Sequence, residues 1–188
     1  GIGPDVPVFD PVSQGLSPCP VPGLSYGARE SIDVAAAAST LRNRYGKVVL
    51  MGSSMGALST IRALPHRGAV LENPMLGLEA LLRDAEQSKG MPDVLVEMLA
   101  GLVRWRGNFP PVPEAQDALA RYGGPPLLFI HSRSDRVVPF AHSETLAREA
   151  GGAAPTWFPQ DGDHGAVWNA NRDEFEHRVR KFVLDLLK

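Results

Sequence analysis

Several features that mark common protein classes are scarce in this sequence. Among its 188 residues, Cys19 is the one cysteine, which excludes an internal disulfide and a cysteine-based metal cluster. Lys and Arg number 19 against 21 Asp and Glu, so the net charge is −2 and a nucleic-acid partner is not indicated. No apolar run approaches the roughly 20 residues that span a bilayer. The lack of a signal-peptide pattern favours the cytoplasm but does not determine the compartment.

The composition that remains is that of one globular domain. Hydrophobic residues make up 44% of the chain and charged residues 21%, which is enough apolar content for a sizeable core. Strand and helix patterns alternate, which predicts an α/β fold: a mostly parallel sheet with helices on both faces. Strands are predicted at 6–10, 47–51, 69–71, 127–131 and 156–158. Helices are predicted at 28–45, 56–64, 78–88, from 92 onward, at 141–150 and after Asn171, with Asn171 and Glu174 as a capping pair.

Residues 74–113 break this alternation with two consecutive helix patterns. They predict a small helical cap inserted into the single domain 1–188. The second helix carries apolar residues on one face, and these predict an acyl pocket lined by Met98, Leu102, Trp105 and Phe109. Packing of the same face onto the domain core is an equally good explanation.

A nucleophile-elbow pattern, Gly52-Ser53-Ser54-Met55-Gly56, lies between strand 47–51 and helix 56–64. A serine at the tip of so sharp a turn has a positive φ, and glycines two residues before and after it relieve the crowding. Its hydroxyl then lies above a helix N-terminus, which favours negative charge. The N–H of Met55 is therefore predicted to bind an oxyanion. A Gly/Ser-rich turn that binds phosphate, or nothing, is the alternative.

Two further loops carry the residues that a serine nucleophile needs. Asp135 follows strand 127–131, and His164 follows strand 156–158. Because the carboxyl ends of parallel strands meet at one edge of a sheet, Ser54, Asp135 and His164 are predicted to converge. The histidine would take the serine proton, and the carboxylate would fix the histidine tautomer. The simpler alternatives are a turn residue at Asp135 and a solvated loop residue at His164.

Neighbouring residues compete for these roles. Ser53 is a rival nucleophile, but Ser54 alone has glycines at positions −2 and +2. Asp161 and Asp163 are rival acids, although they lie in the histidine loop. The other histidines are predicted to be structural: His66, His131, His142 and His177. Their spacing offers no helical pair of ligands, so no metal site is predicted.

The chain resembles the α/β-hydrolase superfamily, particularly its serine aminopeptidase-like and lipase/esterase-like members. Segments 52–56, 134–139 and 162–165 look like the nucleophile, acid and histidine segments of that family. The segment 9–17 is similar to its fourth strand and the Gly-x-Ser turn that follows. The resemblance implies a hydrolase that needs no cofactor and acts on a small-molecule acyl substrate.

The front of the chain departs from that family. Its members usually carry about three more strands, and a loop after the third supplies a second oxyanion donor. Without them, strand 6–10 is expected to pair with strand 47–51, to shift elsewhere, or to face another chain. The sequence therefore predicts an N-terminally short version of the fold, either a fragment or a variant that repairs its sheet as a homodimer.

Three functions remain open at this level. The first is hydrolysis of an ester or related acyl compound through an acyl-enzyme on Ser54. The second is a non-catalytic remnant of the fold that acts as a binding or interaction module. The third keeps Ser54, His164 and Asp135 but transfers the acyl group to another acceptor, because the pocket rather than the nucleophile selects the acceptor.

Overall fold

The structure is a computed structural model, and it describes residues 6–20, 23–63, 68–87, 90–110, 112, 114–121, 126–151 and 154–188. Within these ranges the elements follow in the order α1 (Glu30–Tyr45), β1 (Leu50–Ser53), α2 (Met55–Arg62), β2 (Ala69–Glu72), α3 (Leu78–Gln87), α4 (Asp93–Arg106), α5 (Ala115–Ala120), β3 (Leu127–Ile130), α6 (Ala141–Glu149), β4 (Thr156–Trp157), α7 (Val167–Ala170) and α8 (Arg172–Leu187).

The strands form one parallel sheet in the order β1-β2-β3-β4. The last residue of β1 pairs with Glu72, which in turn pairs with Ile130, and Ile130 pairs with Trp157. The carboxyl ends of all the strands are thus level at one edge of the sheet. The predicted parallel α/β class is confirmed, although β1 starts at Leu50 rather than at 47.

Side chains of the two central strands alternate between two apolar cores, as the period of a strand requires. Leu71 and Phe129 belong to the larger core, which receives buried side chains from α2, α5 and α6. Val70 and Ile130 belong to the smaller core with Phe175 of α8. Helices therefore cover both faces of the sheet, as predicted.

The predicted strand at 6–10 is wrong. Residues 6–10 are irregular, and the side chains of Val6 and Val8 are 81% and 90% exposed. Asp10 instead closes a local turn, because its carboxylate accepts the N–H of Leu16 at 3.0 Å and its carbonyl accepts the hydroxyl of Ser17 at 2.6 Å. In the part of the chain that the structure describes, β1 is consequently one of the two edge strands of the sheet.

The region predicted as a cap contains α3 and α4, which pack against each other. Arg104 of α4 forms a salt bridge with Glu79 of α3, in which Arg104 Nη1 is 2.7 Å from Glu79 Oε1. The helix α5 that follows was not predicted, since six residues are too few to show a helical period. A cap over the sheet edge stays a prediction.

The predicted capping pair at the start of α8 is also wrong. Asn171 makes no side-chain cap. Its amide donates instead to the carbonyl of Asp161 at 3.0 Å, and Glu174 pairs with Arg178 one turn later in α8. The short helix α7 immediately before Asn171, which was not predicted either, explains the difference.

Candidate active site

Ser54 stands in a strained turn between β1 and α2. Its φ of 52° is positive, as predicted for the serine of a nucleophile elbow. A Cβ atom on Gly52 would lie 2.4 Å from the carbonyl oxygen of Gly56, so position 52 must be glycine. A Cβ atom on Gly56 would meet nothing within 4 Å, so the crowding argument holds for Gly52 and is wrong for Gly56. The N–H of Ser54 is bound by the carbonyl of Glu72 at 2.8 Å, which ties the turn to β2.

The side chains of Ser54, His164 and Asp135 meet at the carboxyl edge of the sheet. Ser54 Oγ lies 2.8 Å from His164 Nε2, and His164 Nδ1 lies 2.7 Å from Asp135 Oδ2. Since an ionised carboxylate only accepts hydrogen bonds, Nδ1 carries the proton and Nε2 is free to accept the serine hydroxyl. The three loops therefore bring these side chains together in series.

Asp135 is enclosed by donors, and its side chain has no exposed surface. Oδ1 accepts the N–H groups of Val137 at 2.8 Å and Val138 at 2.9 Å. Oδ2 accepts Nδ2 of Asn73 as well as His164, and His131 Nε2 lies 3.2 Å away. Burial by itself raises the pKa of Asp135, but the hydrogen bonds from His131, His164 and the other donors outweigh it and hold that pKa well below its usual range.

His164 is more basic than an ordinary histidine. Its hydrogen bond to Asp135 raises its pKa, and partial burial opposes this. The carboxylates of Glu72 and Asp163 raise the pKa further through space. Its side chain is 21% exposed, so it is reachable from solvent while Asp135 behind it is not.

Met55, the predicted oxyanion donor, is the first residue of α2. The N–H groups of the first helical turn have no acceptor within their own helix, and the helix dipole makes this end partly positive. Met55 is thus placed beside Ser54 as the elbow pattern expects, and its role stays a prediction.

Known proteins resemble this chain in sequence and in fold. No family model matches the sequence. The protein YqkD of Bacillus subtilis (strain 168), which is uncharacterized, is 26% identical over 181 residues, covering 85% of this chain and 56% of YqkD. The esterase Pf2001 of Pyrococcus furiosus superposes with a TM-score of 0.64 at 19% identity, covering 87% of this chain and 64% of that one. The esterase RhEst1 of Rhodococcus sp. ECU1013 superposes with a TM-score of 0.63 at 19% identity, covering 93% and 78%.

The chain has the α/β-hydrolase fold. It spans about half the length of YqkD and under two thirds of Pf2001. At these identities the likeness to the solved esterases concerns the fold, so the chemistry of this α/β-hydrolase fold has to be argued from its own side chains.

The rival residues occupy other positions in the α/β-hydrolase fold. The hydroxyl of Ser53 is engaged with the carboxylate of Glu72. Asp163 pairs with exposed Arg136, whose Nε is 2.8 Å from Asp163 Oδ2, and hydrogen bonding to Arg136 lowers the pKa of Asp163 to about 2. Asp161 contributes its carbonyl to Asn171 rather than a carboxylate to His164.

Three polar residues beside Asp135 and His164 were not predicted: Glu72, Asn73 and His131. Asn73 and Glu72 stand at the carboxyl end of β2, next to the strand that precedes Ser54, so the level strand ends could have singled them out. His131 was predicted to be structural, yet it contacts the carboxylate of Asp135. Its position one residue past β3 carries the same signal.

The predicted acyl-pocket residues lie in α4 and directly after it. The side chains of Met98, Leu102 and Trp105 are 66%, 56% and 77% exposed, so they are also not packed into the core of the described chain. Phe109 lines a cavity of about 250 Å³ together with Arg62 and Arg104, and Ser54 is not among the residues that line it. The acyl pocket stays a prediction.

Metal-binding groups and membrane-spanning helices are both absent from the described residues. No group of three or more His, Cys, Asp and Glu side chains there is arranged to hold a metal ion. None of the described helices is both long and apolar enough to cross a membrane.

Proposed function

We propose that this chain is a serine hydrolase that cleaves an ester or a related acyl compound, with Ser54 as nucleophile, His164 as proton carrier and Asp135 as the acid that orients His164. The esterases among its structural neighbours support a hydrolase of this fold. The observation that carries the proposal is the unbroken series of hydrogen bonds, 2.8 Å from Ser54 to His164 and 2.7 Å from His164 to Asp135.

In the first half of the reaction, His164 Nε2 takes the Ser54 hydroxyl proton as Oγ attacks the acyl carbon. The tetrahedral intermediate collapses when His164 returns that proton to the leaving alcohol, which leaves an acyl group on Ser54. In the second half, water attacks the acyl carbon and gives its proton to His164. His164 then protonates Ser54 Oγ, and the carboxylic acid departs. These steps use side chains and water only.

Negative charge develops on the acyl oxygen in both halves, and the N–H of Met55 is proposed to bind it. Donors of this kind are each worth on the order of 10²–10³ in rate. Asp135 has a different part: it stays ionised while His164 becomes positively charged, and so stabilises the imidazolium. Its low pKa, produced by the donors around it, supports that part.

A fluorophosphonate probe tests the proposal because it reacts only with an activated serine. Wild-type protein is expected to be labelled, and Ser54→Ala to be unlabelled while still folded by circular dichroism. Ser53→Ala is the matched control and is expected to be labelled like wild type, since Ser53 faces Glu72. Folded wild-type protein that resists labelling, or labelling that survives in Ser54→Ala, would refute the proposal.

A binding module is the second candidate, and one observation favours it. In the described residues β1 is an edge strand, with no further strand beside it whose loop would supply a second oxyanion donor. Met55 is then left as the single proposed donor. A folded chain with neither labelling nor turnover across short-chain and long-chain acyl esters would support this candidate.

Acyl transfer by the same residues is distinguished from hydrolysis by adding an alcohol acceptor and measuring the ester formed against the free acid.

A further inference from the structure

Two histidines share one oxygen of Asp135. His164 Nδ1 is 2.7 Å from Oδ2, and His131 Nε2 is 3.2 Å from the same atom. Each ring has a serine hydroxyl at its other nitrogen: Ser54 Oγ at 2.8 Å from His164 Nε2, and Ser143 Oγ at 2.7 Å from His131 Nδ1. Both His131 and Ser143 are fully buried, so water does not compete for these contacts.

The surroundings of His131 fix where its proton lies. Nε2 faces the carboxylate of Asp135 and also the carbonyl of Val138 at 2.9 Å. Neither oxygen has a proton to give, so Nε2 carries the hydrogen and, in the neutral ring, Nδ1 accepts the hydroxyl of Ser143. A ring protonated at Nδ1 alone would set a lone pair against two oxygen atoms inside the protein, which is costly.

We propose that His131 is a positioning residue that acts on His164 through Asp135, by donating its Nε2–H to the carboxylate oxygen that orients His164. This inference rests on the proposed role of His164 as the base. Each donor on Oδ2 withdraws part of the negative charge that stabilises protonated His164. Without the N–H of His131, that charge is larger and His164 binds its proton more tightly. His131 therefore keeps His164 available as a base at lower pH.

The carboxylate itself stays in place without His131, because Val137, Val138, Asn73 and His164 still donate to it. Other ionisable groups also act on the pair. Glu72 and Asp163 act on His164, and Glu72 and His142 act on His131. Both Leu and Gln at position 131 remove the ring together with its interactions with Glu72 and His142, and both leave the groups that act on His164 in place. The comparison between those two variants therefore isolates the donor to Asp135.

The test compares His131→Leu, which removes the donor, with His131→Gln, whose amide nitrogen can take the place of Nε2. The readout is the pH dependence of fluorophosphonate labelling. In His131→Leu the acid limb is expected about half a pH unit higher, which is roughly three-fold slower labelling below the limb with little change at high pH. His131→Gln is expected to restore the wild-type limb. Ser143→Ala, which keeps the ring and its Nε2–H, is the control and is expected not to move the limb.

A purely structural role of His131 predicts a different result. Labelling would then be slower at every pH, in proportion to a lower thermal stability, and the acid limb would not move. That result would overturn the proposal. An unmoved limb in folded, stable His131→Leu overturns it too. Nitrogen-15 NMR of the histidine rings in the wild type tests the premise of the proposal, a donor at Nε2, even if the Leu and Gln variants fail to fold. A proton on Nε2 of His131 in the wild type supports the proposal, and a proton on Nδ1 alone ends it. The ring spectra do not depend on turnover, so failure of the hydrolase proposal remains distinguishable.

Discussion

Gly52 and Gly56 approach each other so closely that a Cβ atom on Gly52 would lie 2.4 Å from the Gly56 carbonyl oxygen. That contact lets β1 turn directly into α2 and leaves Ser54 at the tip with a φ of 52°. The two glycines of the elbow are therefore not equivalent, because a Cβ atom on Gly56 would enter open space.

The first prediction follows from this difference between Gly52 and Gly56. Gly52→Ala must push the start of α2 away from β1, so both thermal stability and Ser54 labelling are expected to fall sharply. Gly56→Ala is the matched control, and it is expected to unfold at the wild-type temperature or slightly above, since alanine in a helix is favoured over glycine by up to about 1 kcal/mol. Equal melting temperatures for the two variants would contradict the packing argument.

The second prediction separates the competing acids. Asp135→Asn keeps the shape of the side chain but takes away the charge that supports protonated His164, and a loss of about 10³–10⁴ in turnover is expected. Asp163→Asn breaks an exposed pair with Arg136 and is expected to stay within about three-fold of wild type, since such surface pairs contribute little. Ester hydrolysis by the two purified variants measures the difference. A larger loss in Asp163→Asn would assign the acid to the histidine loop.

The sequence was sufficient for the parts of this site that depend on local backbone chemistry. Ser54 could be predicted from the glycine at 52 and the strand before it, and Asp135 and His164 from their places after strands. Asn73 and His131 also follow strands, but that position does not say which side chains they contact. His131 reaches Asp135 from four residues earlier in the same loop. Asn73 reaches it across the pairing of β2 with β3, two strands that are far apart along the chain. Such contacts depend on strand order and register, which local patterns do not specify.

The errors in the predicted fold have physical causes of the same kind. Val6, Val8 and Phe9 suit a strand, but a strand also needs a neighbour to accept its hydrogen bonds. In the described structure Asp10 turns the chain locally instead. The pocket predicted on α4 is not one of these errors and stays a prediction. Its apolar residues are exposed, and apolar periodicity identifies a helix without identifying what covers it.

The third prediction concerns pH. The hydrogen bond to Asp135 raises the pKa of His164, so the acid limb of Ser54 labelling is expected above about 6.5, the value of an ordinary histidine. Labelling slows as pH falls through that raised value, because a protonated imidazole cannot take the serine proton. In Asp135→Asn the limb is expected to move to lower pH. Labelling rates from pH 5 to 9 measure the acid limb of the wild type and that of Asp135→Asn. A wild-type limb at lower pH than the limb of Asp135→Asn would contradict the role of Asp135 as the carboxylate that supports His164.

The fourth prediction concerns Arg62, whose side chain is only 4% exposed. Burial lowers the pKa of Arg62, and the carboxylate of Glu114, 2.9 Å away, opposes this. Glu114→Ala leaves a buried cation without its carboxylate, and since Glu114 is itself half-exposed we expect a loss of about 1–2 kcal/mol in the free energy of unfolding. Glu79→Ala is the control, because Glu79 pairs with the more exposed Arg104 and its loss should cost less than about 0.5 kcal/mol. Urea denaturation measures the free energy of unfolding of both variants. Equal losses would mean that the burial of Arg62 does not increase the stabilisation that Glu114 provides.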